Sequence, residues 1–443
     1  MANSSVTTQA LPDWWEREKR RRQLRILLFL TVVLGLIGHH YWVSYVGIVQ
    51  VDGIHFDSTN YIAFIRQEER PRQNKKGTDT VITLYAIRAD GSGLQALTRA
   101  DDNSNKSAPA WTSDGKKILY ASNKNDSRAT QIYLLGEGEP KQLIYGTGNK
   151  FSPVQSPGSD SKVAFVTQGA IKTVNLNGTE VEQQIPTPHR DHESGETETP
   201  EAIEPQGPFL NALFSSDGKG IAGVQDISGD EHHISPTSTT LGDQVARVLP
   251  PGATKAHVLD MGREVSLAWE PTGSRLACAF AELQVEENKQ TILVSGIRVW
   301  SFEKPNKPVS KMLFASKGFS LVPKNISWSA DGSKIAFEGW LLKGEGIREL
   351  GGLVVIDAKS EAFSVDANNV NAVRFMVAAT ANGKPQHPKW SPDGSRLLFE
   401  QTRPDGGNDL WIINADGTNL LNLTKGVGNN IEAVWAPSKV AQK

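Results

Sequence analysis

Beyond Val49 the apolar positions fall in short alternating runs rich in β-branched and aromatic residues. VITLYAIRA (Val81 to Ala89) and DLWIINA (Asp409 to Ala415) are examples, and Gly, Asp, Asn and Pro separate such runs. Period-two alternation between turn-forming residues is the pattern of strands, and no helical periodicity competes with it here. The pattern therefore predicts an all-β region over residues 51–443. Residues 26–49 read differently: ILLFLTVVLGLIGHHYWVSYVGIV is one nearly unbroken apolar stretch. As a helix it would be about 36 Å long, enough to cross a bilayer.

The strand pattern is also a repeat. Ten residues starting at Trp390, WSPDGSRLLF, return as WTSDGKKILY from Trp111 and WSADGSKIAF from Trp328. Weaker copies are HFDSTNYIAF from His55, QSPGSDSKVAF from Gln155, FSSDGKGIAG from Phe214 and WEPTGSRLAC from Trp269, and a truncated echo, VWAPS, surrounds Trp435. Starts lie 44 to 62 residues apart. A second half-motif trails two copies: IRADGSGLQALT (Ile87 to Thr98) and INADGTNLLNLT (Ile413 to Thr424). Each unit thus reads strand, tight turn, strand, longer loop, strand, turn, strand, which is the size and content of a propeller blade.

The spelling of the turn follows from backbone chemistry. Pro392 presets a turn torsion, Asp393 can accept backbone hydrogen bonds, and Gly394 supplies a positive φ. Asp114, Gly115, Gly273, Asp331 and Gly332 stand at corresponding places. In the strand that follows, Leu397 and Phe399 face one way and Leu398 the other, so both faces are apolar, as in a blade covered on both sides. Trp111, Trp269, Trp328, Trp390 and Trp435 precede the turn and are large enough to fill a wedge between blades.

These units resemble the PD40 (WD40-like) repeats of TolB-type β-propellers, most clearly at Pro388 to Gly394, at Pro109 to Gly115 and in the D-G-x-x-x-x-L-T tails. The resemblance spans residues 51–443 and implies about seven four-stranded blades, or alternatively six, with the VWAPS strand returning to complete the first blade. The family has an α/β domain before its propeller, whereas here the propeller follows the apolar stretch directly.

The N-terminus sets an expectation about place. Glu16 to Arg25 holds six basic and two acidic side chains just before the apolar stretch. Tyr41, Trp42 and Tyr45 suit the aromatic belt of an interface. The expected organisation is a basic cytoplasmic tail (1–25), an uncleaved single-pass signal anchor (26–49) in contact with the lipid bilayer, and a propeller (51–443) in the bacterial periplasm. Trp14, Trp15, His39, His40 and Trp42 are candidates for contacts within the membrane. His39 and His40 could face a partner helix, ligate a pigment or haem, or lie hydrated near the interface.

Composition excludes several classes. The net charge of −2 argues against a general nucleic-acid binder, and one cysteine, Cys278, excludes disulfides and Cys-based metal centres within the chain. His189-x-x-His192-Glu193 and Glu231-His232-His233 lack the helical spacing of a zinc site and sit in polar, loop-like stretches. No G-x-S-x-G nucleophile elbow occurs, and the Asp-Gly turns lack a full calcium-loop pattern. An aspartate repeated once per blade is architecture before it is chemistry. No catalytic residue, metal or cofactor is therefore expected. The remaining candidates are the stretches that interrupt the repeat: Glu68 to Asp79, Ile185 to Gly207, Asp226 to Gln244 and Leu342 to Leu350. Function is expected to be protein–protein interaction with subunits of a membrane complex. The alternative is a carbohydrate or small-ligand binder, or a propeller lyase or hydrolase, which would need a cluster of charged side chains and His in the central channel.

Overall fold

The computed structural model describes residues 60–71, 76–125, 128–158, 161–179, 181–185, 207–227, 244–262, 265–271, 273–285, 291–317, 321–343, 347–359, 363–365 and 374–437. Trp14, Trp15, His39, His40, Trp42 and the whole apolar stretch lie outside these, as do His189, His192 and His232. Among the described residues no helix is long and apolar enough to cross a membrane.

All described sheets belong to the unit Gly53–Lys443 and form seven blades. Blade 1 contains β1 (Tyr61–Pro71), β2 (Thr78–Arg88) and β3 (Gln95–Ala96). Blade 2 runs β4 (Lys106–Trp111), β5 (Ile118–Ser122), β6 (Gln131–Leu135), β7 (Lys141–Gln142). Blade 3 is β8 (Lys150–Gln155), β9 (Lys162–Thr167), β10 (Ala170–Asn175), β11 (Glu182–Ile185). Blade 4 is β12 (Leu213–Phe214), β13 (Ile221–Asp226), β14 (Gln244–Leu249), β15 (His257–Gly262). Blade 5 follows with β16 (Ser266–Trp269), β17 (Arg275–Val285), β18 (Thr291–Ser301) and β19 (Val309–Lys317). Blade 6 is β20 (Leu321–Trp328), β21 (Lys334–Lys343), β22 (Ile347–Asp357) and, after β23 (Phe363–Val365), β24 (Phe375–Ala378). Blade 7 is β25 (Lys384–Trp390), β26 (Arg396–Thr402), β27 (Asn408–Asn414), β28 (Leu421–Asn422). Each is an antiparallel meander counted outward from the channel.

The count of seven, rather than six, is settled by the last strand. β29 (Asn429–Trp435) pairs with β1, from Ile62↔Trp435 to Gln67↔Asn429, and becomes the innermost strand of blade 1. The degenerate copy at His55 and the VWAPS echo are thus two halves of one blade. The ring closes without an open inner edge.

Eight apolar clusters fill the seven interfaces between neighbouring blades, two of them between blades 5 and 6. Blade 7 meets blade 1 through Leu398, Leu410, Ile62 and Phe64, and blade 6 meets blade 7 through Ala336, Leu353, Leu397 and Phe399. Consecutive residues of one strand therefore serve opposite interfaces, which is the reason for the two-faced apolar pattern. One connection leaves its blade: β23, between β22 and β24, adds in parallel to β19 of blade 5.

Connections between first and second strands, and between third and fourth, emerge on one face of the ring and are short, except the one from β22 to β24, which spans residues 358–374 and includes β23. The other connections emerge on the opposite face. All four interruptions of the repeat leave and rejoin strands there. Two of them differ from the expected loops: Glu68–Pro71 pairs with Thr78–Val81, and Leu342–Lys343 with Ile347–Arg348, so the strands themselves are lengthened. The second and third strands are 10 or 11 residues long in blades 1, 5 and 6 and 5 to 7 elsewhere. At roughly 3.3 Å per residue, three hairpins rise on the order of 10 Å or more above their neighbours.

Candidate functional site

The repeated turn is a small hydrogen-bond machine. In the four full copies the glycine N–H donates to the carbonyl three residues back: Gly115 to Thr112, Gly218 to Ser215, Gly332 to Ser329 and Gly394 to Ser391, at 2.8–2.9 Å. The glycines have φ from 67° to 71°, the left-handed region that other residues enter only with strain. Asp114, Asp217, Asp331 and Asp393 each accept from the hydroxyl two residues earlier, at 2.5–2.6 Å, and from the backbone N–H two residues later, at 3.0 Å. That hydroxyl in turn accepts the N–H that opens the next strand, at 2.7–2.9 Å. Hydrogen bonds from Ser329 and Ser333 hold the Asp331 carboxyl well below the usual carboxylate range. For Asp393, burial acts to raise the pKa, but hydrogen bonds from Ser391 and Ser395 outweigh it and the net shift is downward.

Blade 5 departs from this scheme. Pro271 is retained, but the aspartate position is Thr272, and Glu270 instead holds Arg275 by a two-pronged ion pair. A side chain at Gly273 would collide with the Glu270 carboxylate.

The tryptophans link blade to blade. Trp328 Nε1 donates to the Ala268 carbonyl at 3.0 Å, Trp435 to Lys389 at 3.0 Å and Trp111 to Val434 at 3.3 Å. Each acceptor directly precedes the next tryptophan around the ring. The indole N–H groups of Trp269 and Trp390 are buried without a hydrogen-bond partner among the described residues. The predicted signature residues are therefore distributed one set per blade and do not converge on a single site.

Convergence occurs instead on the channel wall, at the residue three positions before four of the five tryptophans; Ser266, before Trp269, lies in a regular ladder. Ala108, Asn325, His387 and Glu432, with Ser152 at the matching place in blade 3, have φ between 48° and 56°. Each sits at a break in register between first and second strands. The bulge turns a backbone N–H towards the preceding blade, where it needs an acceptor. Glu338 on β21 accepts from the His387 N–H at 2.7 Å, and Glu400 on β26 accepts from the Glu432 N–H at 2.7 Å. Glu432 itself accepts from the Ala108 N–H. The same carboxylates also bind within their own blades. Asn325 Nδ2 donates to Glu338 Oε1 at 2.8 Å, Trp340 Nε1 donates to Glu338 Oε2 at 2.9 Å, and the His387 ring lies 3.1 Å from Glu400 Oε2 through Nδ1.

This relay surrounds a cavity of about 470 Å³ lined by residues of blades 7, 1 and 2, among them Ala108, His387, Lys389, Glu400 and Glu432. For His387, burial acts to lower the pKa, but the hydrogen bond and charge of Glu400 win and the ring is held above its ordinary value. Burial raises the Glu432 carboxyl. Burial also pushes the Lys389 ammonium down, against the pull of Glu400 and Glu338. The Lys389 side chain is nonetheless exposed. Among the described residues no group of three or more His, Cys, Asp and Glu side chains is placed to hold a metal ion.

Sequence reasoning did not single out Glu338, Glu400, His387, Lys389 or Glu432. The signal was at hand: the decapeptide is followed directly by Glu in two copies, as AFE at Ala336 to Glu338 and LFE at Leu398 to Glu400. The copy from Trp111 has Ala121 there.

The repeat grammar, the closing strand and the ring of interblade clusters decide the architecture. The fold is that of a TolB-like β-propeller. Among solved structures it is similar to TolB from Acinetobacter baumannii, with a TM-score of 0.47, 18% identity, and coverage of 87% of this chain and 68% of that one. It is also similar to a prolyl endopeptidase, with a TM-score of 0.50, 14% identity, and coverage of 82% of this chain and 50% of that one. An oligogalacturonate lyase in complex with manganese gives a TM-score of 0.47 at 15% identity, covering 82% and 85%. At these identities the likeness is one of fold. No protein-family model matches the chain, and no curated protein matches it.

Proposed function

We propose that this TolB-like propeller is a membrane-anchored, non-enzymatic scaffold or accessory subunit that binds other proteins of a bacterial inner-membrane complex. The observation that carries this reading is the asymmetry of the ring. One face carries short connections, apart from the one between β22 and β24. The other carries three lengthened hairpins and the ends of all four interruptions of the repeat. A rigid ring that elaborates chiefly one face suits a protein that docks a partner there. The anchor at residues 26–49 and the basic residues before it favour a propeller held beside the periplasmic surface of the membrane. The channel carboxylates also fit this reading, because Glu338 and Glu400 use both oxygens on neighbouring N–H groups and so serve the wall.

Mild-detergent purification of the full chain with crosslinking and mass spectrometry tests the proposal. The expected result is one defined membrane complex, crosslinked through the hairpin face. Cutting the blade 1 hairpin back at Arg66 and Thr83 should abolish co-purification without moving the melting temperature by more than a few degrees. Turnover of a substrate by the purified chain, or the absence of any reproducible partner, would sink it.

A further inference from the structure

The cavity beside His387 contains polar groups that the wall does not consume. Glu400 is fully occupied, with Oε1 on the Glu432 N–H and Oε2 on the His387 ring. His387 is thereby tied at Nδ1, which leaves Nε2 as its free ring nitrogen. The Lys389 ammonium makes no hydrogen bond or ion pair among the described residues, although it sits one residue before Trp390 on the inner strand. Glu432 uses Oε2 on the Ala108 N–H, and its other oxygen has no partner among the described residues. The remaining wall mixes apolar residues, Ala108, Ile431 and Val434 among them, with the neutral residues Gln386 and Asn408. The charged groups that the cavity offers are thus two nitrogen donors able to carry positive charge and one carboxyl oxygen. Its volume falls within the roughly 300–1,000 Å³ typical of small-molecule sites.

We propose that this cavity binds a small organic acid that also carries a hydroxyl or amino group. The acid's carboxylate pairs with Lys389 and the free ring nitrogen of His387, and its hydroxyl or ammonium meets the unpaired oxygen of Glu432. A bare inorganic anion would satisfy the donors but leave Glu432 opposed. A neutral polar molecule would leave the Lys389 ammonium without a counter-charge. The two-ended demand is what selects the class. This site is separate from the hairpin face and stands whether or not that face docks a protein.

Isothermal titration of the full chain in mild detergent tests it, with L-malate and L-glutamate as probes and the neutral diamide of malic acid and inorganic sulfate as controls. The expected result is saturable one-to-one binding of at least one probe, with sulfate at least tenfold weaker and no binding of the diamide. Lys389→Met should weaken binding at least tenfold while leaving the melting temperature unchanged, because the Lys389 side chain holds nothing else. Lys389→Gln is the second variant, should the first fold poorly. Glu432→Gln should weaken the probes without strengthening the diamide. The proposal is overturned if the folded protein binds neither probe, if sulfate or the diamide binds as well as they do, or if both Lys389 variants bind like the unaltered chain.

Discussion

At the scale of the residue, this ring is built by side chains that stand in for missing backbone partners. Ser391 donates to Asp393 and accepts from the Arg396 N–H, and it is almost wholly buried. Ser391→Ala removes both bonds and should lower stability by about 1–2 kcal/mol, read by urea denaturation with an unchanged slope. The His387–Glu400 pair makes a pH prediction. The His387 pKa is raised in the folded chain, so its contribution is complete below the unfolded value near ~6.5 and is lost as pH rises through the folded value. Glu432, also raised, acts in the same sense from about pH 4.3 upward, since deprotonating a carboxyl that folding has made harder to ionise costs stability. Lys389, Glu338 and Glu400 are the other charges facing His387. The His387 step should therefore lower the melting temperature just above neutral pH, while Lys389, whose pKa is lowered, acts in the opposite sense as pH rises further. His387→Gln should remove that step, and an unaltered step in the variant would refute the assignment.

At the scale of the element, the inner strands do two jobs with one residue spacing. The bulge three residues before the tryptophan aims an N–H at the preceding blade, and the tryptophan then fills the wedge behind it. Trp328 is 5% exposed, and its indole donates to Ala268. Trp328→Ala should cost about 3–5 kcal/mol through the cavity it leaves. Trp328→Phe and Trp390→Phe make a sharper pair. Only the first loses a hydrogen bond, so it should cost about 1 kcal/mol more than the second. Equal costs measured by denaturation would show that the indole bond contributes nothing. The tails of the units have a similar logic. Their outer strands hold only two residues, and the threonine after them completes the ladder. Thr98 accepts from the Leu84 N–H and Thr424 from the Leu410 N–H, each at 3.0 Å.

At the scale of the whole molecule, closure is the property that matters. Removing residues 429–443 deletes β29, exposes the inner edge of β1 from Ile62 to Gln67 and leaves Leu398 and Phe64 facing water. The truncated chain is expected to aggregate or to unfold without a cooperative transition, seen by size-exclusion chromatography and calorimetry. A monomeric truncation melting like the full chain would contradict the closing role of that strand.

Much of this ring was legible in the sequence because its information is local and repeated. A Ser/Thr-x-Asp-Gly turn works by contacts within six residues, so its spelling alone determined strand, turn and strand, and the two-faced apolar run announced cover on both sides. The two-faced pattern required neighbouring blades, and the VWAPS echo required a closing strand. The number seven was less legible, because the His55 and Trp435 segments are incomplete until 370 or so residues of ring bring them into one sheet. The channel site was not legible at all. Glu338, His387, Glu400 and Glu432 belong to three blades, and each looks like an ordinary polar residue until a bulge turns a backbone N–H towards it. Local hydrogen bonding is written in neighbouring residues, whereas the meeting of charges across blades is set by the radius and closure of the ring. The sequence by itself determined the blade; only the tertiary structure decided how many blades close, which face is elaborated, and which charges meet in the channel.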